Sequence, residues 1–185
     1  AVHAAFRIGP DLLSRLASAP FEPRQAGDLR RLAMTLFDVP ASQLQDLATR
    51  LNLGSEWSRV AADVGRVREA FPRLRGAGVR RSEIFAALRN LEPAAIEGCA
   101  MATDEKAVRR RLELYLAELR HISPLLNGHD LIALGVPQGP LVGKLLEEVL
   151  TARIDGLLST RDEEETLAVQ SLDRRHDLPP FEKGV

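Results

Sequence analysis

The sequence is poor in cysteine, lysine and aromatic residues. It contains a single cysteine, Cys99, and only 4% of its 185 residues are aromatic. One cysteine cannot form an intramolecular disulfide, and no segment resembles a secretory signal, so we expect a protein of the reducing cytoplasm. No apolar run approaches the roughly 20 residues that span a bilayer, which excludes a transmembrane protein. Because the chain begins at Ala1 rather than at methionine, we expect a fragment of a longer polypeptide.

Recognisable catalytic motifs are also missing. The sequence has no phosphate-binding loop, no dinucleotide-binding fingerprint and no nucleophile elbow. Its four histidines and Cys99 are too widely spaced for an ordinary zinc site. The His-Asp pairs at 129–130 and 176–177 are typical of metal-dependent phosphohydrolases, but that chemistry also needs an upstream histidine and a distant aspartate. We therefore predict no catalytic residue and no metal site.

The charges balance overall but are unevenly distributed. The formal net charge is −1, from 25 basic and 26 acidic residues. Basic residues exceed acidic ones by four between Arg59 and Arg120, whereas acidic residues exceed basic ones by five from Leu145 onward. We expect the middle of the chain to offer a face to a polyanion and the C-terminal part to repel one. Arginine supplies 22 of the basic residues, which a GC-rich genome favours regardless of function.

What the sequence does contain is the apolar periodicity of amphipathic helices along most of its length. Alanine, leucine, arginine and glutamate dominate, and strand-like alternation is missing. We predict an all-α fold, with a multi-helix bundle (the body) over residues 1–123 and a smaller helical tail over residues 124–172. Residues 173–185 are polar and are expected to fray. Pro72 should end or kink the longest helix, and N-caps are predicted at Ser55, Ser82 and Thr103.

The most distinctive segment, residues 127–146, predicts a short helix, a tight glycine-proline turn and a second helix. Gly135 should adopt the left-handed conformation that ends the first helix, and Pro140 should begin the second. Unpaired backbone N–H groups around residues 139–143, with Lys144 beside them, would form a sequence-independent phosphate site. A tight helical hairpin also needs glycine and proline here for structural reasons alone, so both interpretations stay open.

The segment that follows predicts the start of a final helix. Thr160 and Glu163 have the spacing of a capping box, and the acidic first turn over residues 162–165 suits the helix dipole. The dipole is sufficient to explain the glutamate run, so we assign it no metal. Trp57 and Tyr115 lie on apolar helical stripes and are expected to be core residues.

The run GHDLIALGVPQGPLVGKLLEEVLTARIDGLLSTRDEEE resembles the tail of bacterial tRNA nucleotidyltransferases, the CCA-adding enzyme and poly(A) polymerase family. Tails of that family carry the pattern G-x-D-L-x-x-L-G-x-x-P-G-P-x-x-G, followed by T-x-E-E-E. Here the P-G-P element reads Gln138-Gly139-Pro140, with a proline one place early at Pro137. The stretch from about Leu29, including RRLAMTLFDVP and LATRLNL, is similar to the RNA-binding body upstream.

The resemblance implies a division of labour. In the family, a mixed α/β head with two metal-binding carboxylates extends the tRNA 3′ end, using Mg and nucleoside triphosphates, while the helical body and tail bind the tRNA. This sequence has no strand-rich head and no Asp-x-Asp pair, so the resemblance implies a body-and-tail piece that carries no cofactor and is inactive alone. Its expected partners are tRNA and the catalytic head of the same polypeptide. Whether the parent adds CCA, CC, A or poly(A) stays open.

We predict RNA-binding residues in both parts of the chain. They are Gly139, Leu141, Gly143, Lys144 and Arg153 in the tail, and Arg109, Arg110 and Arg111 on the outward side of a body helix. Duplex RNA presents mainly phosphates and 2′-hydroxyls, so binding should be largely independent of sequence. The alternative is a helical dimerisation or interaction module of a larger multidomain enzyme. In that case the acidic C-terminal helix and the apolar stripes would contact another domain or a second copy.

Overall fold

The computed structural model describes residues 26–176, and within that range the chain forms nine α-helices and one 3₁₀ turn, with no strand. This confirms the all-α prediction. The helices are α1 (Ala26–Leu36), α2 (Ala41–Arg50), α3 (Ser55–Arg75), α4 (Arg81–Leu88), α5 (Pro93–Ala102), α6 (Lys106–Ala117), α7 (Gly128–Ala133), α8 (Pro140–Ile154) and α9 (Arg161–His176). The chain divides into two compact units, unit 1 over Ala1–Arg120 and unit 2 over His121–Val185. The sequence placed the boundary between residues 123 and 124.

Unit 1 is organised around its longest helix, α3. This helix of 21 residues packs against α1, α2, α4, α5 and α6. Its apolar residues recur at helical spacing, so they form one buried stripe that faces its neighbours. The fully buried members of that stripe are Val60, Ala61, Val64, Val67 and Leu74. The periodicity of the sequence therefore accounts for the centre of the bundle.

Helices α1 and α5 approach closely at Gly98. A Cβ atom at this position would lie 2.9 Å from the carbonyl oxygen of Arg30 and 3.0 Å from the amide nitrogen of Met34, and it would also collide with the Ala33 side chain. Such short contacts leave no room for any side chain. Gly98 is therefore required by the packing of the two helices.

Several local predictions in unit 1 were wrong in detail. Pro72 does not end α3, which continues to Arg75, because Phe71 and Leu74 in the last turn are buried and hold it in place. The N-cap residues of α3, α4 and α6 are Gly54, Arg80 and Glu105 rather than the predicted Ser55, Ser82 and Thr103. At α6, the Thr103 hydroxyl accepts a hydrogen bond from the Glu105 amide, so it still supports the start of the helix.

The predicted core position of Tyr115 is confirmed. Cys99 is fully buried, and burial raises the pKa of its thiol to about 12. Tyr115 is 5% exposed, and its ring lies 6.2 Å from that of Phe85. Trp57 is half-buried. None of the helices between residues 26 and 176 has the length and apolarity needed to cross a membrane.

Unit 2 is a three-helix arrangement in which α7 and α9 both pack against α8. Its core consists of buried residues from all three helices and the segments between them, namely Leu126, Leu131, Val136, Leu145, Val149, Ala168 and Leu172. The final helix continues past Asp173 to His176, because Leu172 and Ser171 are buried and anchor its last turns. Fraying was expected from Asp173 onward; residues 177–185 lie outside the described part of the chain.

Candidate nucleic-acid interface

Helices α7 and α8 and the turn between them form a helical hairpin. The N-terminus of α7 is capped by the side chain of Asn127. The Asn127 side-chain oxygen accepts hydrogen bonds from the amides of His129 at 2.8 Å and Asp130 at 3.2 Å. In return, the Asp130 carboxylate accepts a hydrogen bond of 2.8 Å from the Asn127 amide. This reciprocal capping box occupies the amides of Asn127, His129 and Asp130 and places the Asp130 carboxylate beside them, so the start of α7 disfavours an anion.

The turn after α7, residues 135–140, has the predicted geometry. Gly135 adopts a φ of 93°. Its amide donates to the Ile132 carbonyl and the Val136 amide donates to the Leu131 carbonyl, both at 3.0 Å, which completes a Schellman cap. Val136 is buried beneath the turn, whereas all of residues 137–140 are exposed. We call residues 137–144, the exposed turn and the first turn of α8, the elbow.

The start of α8 is more open than the start of α7. Gly139 has a φ of 145°, which a residue with a side chain rarely adopts, and its carbonyl accepts a 3.1 Å bond from the Val142 amide. The Leu141 amide has no acceptor among the described residues. A Cβ at Gly143 would have no atom within 4 Å, and the exposed Lys144 has no acidic partner in the described part of the chain.

The prediction of unpaired amides throughout residues 139–143 therefore needs correction. Val142 uses its amide within the turn, and Pro140 has no N–H to offer. The groups that stay open at the elbow are the amides of Gly139 and Leu141, the bare surface at Gly143 and the ammonium group of Lys144. They lie within one turn of the positive end of the α8 dipole.

Arg153 lies elsewhere in unit 2 and is held by a buried glutamate. Its guanidinium donates to one carboxylate oxygen of Glu164 at 2.9 Å. The other oxygen of Glu164 accepts hydrogen bonds from the amides of Leu125 at 2.8 Å and Leu126 at 3.0 Å. Glu164 is 0% exposed and the Arg153 side chain is 22% exposed. Arg153 is therefore bound within unit 2, and its guanidinium is not available to contact RNA as predicted.

Glu164 is the important residue that sequence reasoning missed. The dipole explains the acidic turn as a whole, but it does not explain why one carboxylate is completely buried. A signal was present in the sequence, because Glu164 continues the buried stripe of Ala168 and Leu172 at four-residue spacing. A charged residue on such a stripe predicts a buried partner.

The predicted capping box at the start of α9 is confirmed. The Glu163 carboxylate accepts hydrogen bonds from the amides of Ser159 at 2.6 Å and Thr160 at 3.0 Å, and the Thr160 hydroxyl accepts a 3.3 Å bond from the Glu163 amide. Arg161 joins α9 to α7 through a 2.8 Å bond to Asp130, and it also donates to Glu165. The contact between Arg161 and Asp130 thus attaches the hairpin that carries the elbow to α9.

These contacts predict that unit 2 loses stability in acid. Hydrogen bonds from the Asn127 amide and Arg161 lower the pKa of Asp130, and bonds from the Ser159 and Thr160 amides lower the pKa of Glu163. Because both values are lowered on folding, the stabilisation is present above the ordinary carboxyl pKa of about 4 and is lost as the pH falls below it.

Replacing Asp130 by asparagine should therefore lower the melting temperature at pH 7 and have little effect at pH 3. Melting of wild type and variant, followed between these two pH values, measures the difference. A difference that stays constant with pH would show that the charge of Asp130 contributes nothing.

Arg109, Arg110 and Arg111 lie on α6 in unit 1, and their side chains have different surroundings. Arg109 donates to the backbone carbonyls of Ala100, at 3.0 Å, and Thr103. Arg111 donates to the carbonyls of Leu74 and, at 2.7 Å, Gly76. Arg110 is exposed, with no partner recorded among the described residues.

The prediction that all three arginines point outward is therefore wrong for two of them. Arg109 and Arg111 satisfy the free carbonyls at the ends of α5 and α3, where a cation also complements the helix dipole. Arg110 is the member of the trio that is available to a ligand. It lies in unit 1, whereas the elbow lies in unit 2.

Among the described residues, no group of three histidine, cysteine, aspartate or glutamate side chains is placed to hold a metal ion. His129 is exposed next to Asp130, whose carboxylate is occupied by Asn127 and Arg161. The second His-Asp pair is described only in part, because Asp177 lies outside the described residues.

Part of the chain is similar to a curated protein named A-adding tRNA nucleotidyltransferase from Geobacter sulfurreducens. The two sequences are 42% identical over 95 residues, a stretch that covers 51% of this chain and 11% of the relative. No family model and no solved structure matches the chain. The similarity supports the relationship to tRNA nucleotidyltransferases that the tail sequence indicates.

Proposed function

We propose that this chain is a tRNA-binding body and tail of a tRNA nucleotidyltransferase, which grips the tRNA backbone while a catalytic head extends the 3′ end. The observation that carries this proposal is the open start of α8 at the elbow, in a chain similar to such an enzyme. The name of the relative favours A addition over CCA addition or poly(A) synthesis for the parent. Mg and nucleoside triphosphates would be used by the head.

The elbow fits a backbone phosphate rather than a base. A free amide and the positive end of a helix dipole favour an anion without reading sequence. Gly143 exposes backbone where a side chain would keep a ribose-phosphate at a distance, and Lys144 adds a positive charge beside it. The chemistry of the site is therefore that of a phosphate clamp, which suits a shape-selective RNA contact.

Lys144 is prominent because the three arginines of unit 2 whose side chains the structure describes are engaged. Arg153 and Arg161 are held by carboxylates, and Arg174 donates to the Gln170 carbonyl and the Ser171 hydroxyl. The contact made by unit 2 therefore depends strongly on one lysine. Arg110 is a candidate for a second contact, made by unit 1.

Reversing the charge of Lys144 tests the proposal. We expect Lys144→Glu to weaken binding of unfractionated tRNA by about tenfold at low salt, because an attractive phosphate contact becomes repulsive. Lys144→Ala should reduce the slope of log affinity against log salt by about one. The measurement is a tRNA titration at several salt concentrations.

The control is Arg50→Glu, which makes the same two-unit charge change at an exposed cation at the end of α2 in unit 1, where Arg50 pairs with Asp46. It should alter tRNA affinity by less than about twofold. Equal losses for the two variants would mean that binding responds only to net charge, and the elbow would lose its assigned role.

The interaction-module alternative has one specific observation in its favour. The side chain of Leu157, just after α8, is 73% exposed, and contact with another domain or a second copy would cover it. Concentration-dependent dimers that are dissociated by Leu157→Ser, in a chain that does not bind tRNA, would support this alternative.

A further inference from the structure

A small groove lies in unit 1 between the last turn of α3 and helix α4. It has a volume of about 380 Å³ and is lined by Arg73, Leu74, Val79, Glu83, Ala86 and Ala87. The floor and walls are apolar, and the two charged residues supply the polar groups. This volume is at the small end of the range for ligand pockets, so the groove accepts one compact group. A docked helix needs several anchor sites in a row, which a groove of this size does not provide.

The charge at the groove is set by Arg73. The Glu83 carboxylate is already bound by Arg80, whose Nε and Nη2 donate at 3.3 and 3.2 Å and whose amide donates at 3.0 Å. Nearby Arg75 makes a bidentate pair with Glu105. Arg73 is exposed, and no partner is recorded for it in the described part of the chain. The groove thus combines an apolar interior with one available guanidinium group.

We propose that this groove binds a single unpaired nucleotide of RNA, with the base against the apolar walls and the phosphate at Arg73. A base presents two apolar faces, and the small side chains of Ala86 and Ala87 leave room for it. A guanidinium group can donate two parallel hydrogen bonds to a phosphate. An uncharged apolar side chain from a protein partner would fill the interior but leave the charge of Arg73 unmatched. The proposal rests on the proposed function in taking RNA as the ligand.

Binding of a fluorescently labelled short oligoadenylate to the full chain tests this site. We expect Arg73→Ala, which removes the guanidinium group, and Ala86→Leu, which fills the groove, to weaken the affinity by about tenfold, the loss of one charge-assisted contact. Position 86 is exposed, so leucine can occupy the groove without entering the core. Lys106→Ala, which removes a cation outside the groove, should change the affinity by less than about twofold. Circular dichroism of each variant shows whether the helices are retained.

Methyl NMR of the wild-type chain supplies a second measurement. Addition of the oligonucleotide should shift the resonances of Val79, Ala86 and Ala87 and leave those of Leu131 and Val149, in the buried core of unit 2, unchanged. An oligonucleotide that does not bind, or that binds Ala86→Leu as well as wild type, would overturn the proposal. If the groove instead binds a side chain of a protein partner, the oligonucleotide will not bind.

Two separate measurements distinguish failure of the proposed nucleotide site at the groove from failure of the proposed phosphate contact at the elbow. Lys144→Glu should leave the oligoadenylate-induced shifts of Val79, Ala86 and Ala87 unchanged, because it alters only the phosphate contact in unit 2. If Lys144→Glu does not weaken tRNA binding but Arg73→Ala weakens oligoadenylate binding, the phosphate clamp is wrong and the nucleotide site stands. If only Lys144→Glu has its expected effect, the nucleotide site is wrong and the clamp stands.

Discussion

Replacing Glu164 by alanine is expected to destabilise unit 2 by about 3 kcal/mol or more, because one partner of a buried ion pair is removed. The change leaves Arg153 without its carboxylate and the amides of Leu125 and Leu126 without their acceptor. Each unsatisfied group adds a desolvation penalty. The Leu126 bond is buried, so water does not readily replace the lost carboxylate there, whereas Arg153 and Leu125 are partly exposed to solvent. We expect the hairpin core to loosen as a result.

Hydrogen exchange of the Leu145 and Val149 amides measures this effect, since both residues lie in the core of unit 2. Tryptophan fluorescence is unsuitable, because Trp57, the single tryptophan, lies in unit 1. Glu165→Ala is the matched control. It removes the neighbouring carboxylate, which pairs with the half-exposed Arg161, and should cost less than about 1 kcal/mol. Equal protection in the two variants would show that Glu164 does not anchor unit 2.

Replacing Gly98 by alanine is expected to destabilise unit 1 by about 2 kcal/mol, despite the higher helix propensity of alanine. The added methyl group would collide with the Ala33 side chain and lie 2.9 Å from the Arg30 carbonyl oxygen. Helices α1 and α5 must then move apart, which weakens packing along their whole contact. Gly98→Leu should prevent the two helices from associating.

Urea unfolding followed by Trp57 fluorescence measures the Gly98 variants. Gly143→Ala is the contrasting control, since it also replaces a helical glycine but places the methyl group in open space. That variant should be neutral or gain up to about 1 kcal/mol in unit 2, where amide exchange would detect the change. A Gly98→Ala chain as stable as wild type would mean that α1 and α5 separate without cost.

Local patterns predicted the parts of the fold that depend on neighbouring residues. The apolar stripe of α3 follows from helical periodicity, and the caps at Gly135 and Thr160 depend on residues within one turn. The same reasoning failed at Pro72, because burial of the flanking residues outweighs the loss of one backbone hydrogen bond.

Contacts between segments distant in sequence could not be predicted in this way. Arg109 and Arg111 look like an outward cationic face, because nothing local shows that carbonyls at the ends of other helices lie beside them. Glu164 binds amides 38 and 39 residues earlier in the chain, so its role follows only from the tertiary fold. The candidate site was therefore predicted correctly in its turn geometry and only partly in its cations.

The most direct test of the elbow as an RNA contact is an amide NMR titration of the full chain with tRNA. The resonances of Leu141, Gly143 and Lys144 should shift with the first additions of tRNA, while that of His129 at the capped start of α7 should move much less. Binding of tRNA without a shift at these three amides would show that the phosphate is held elsewhere.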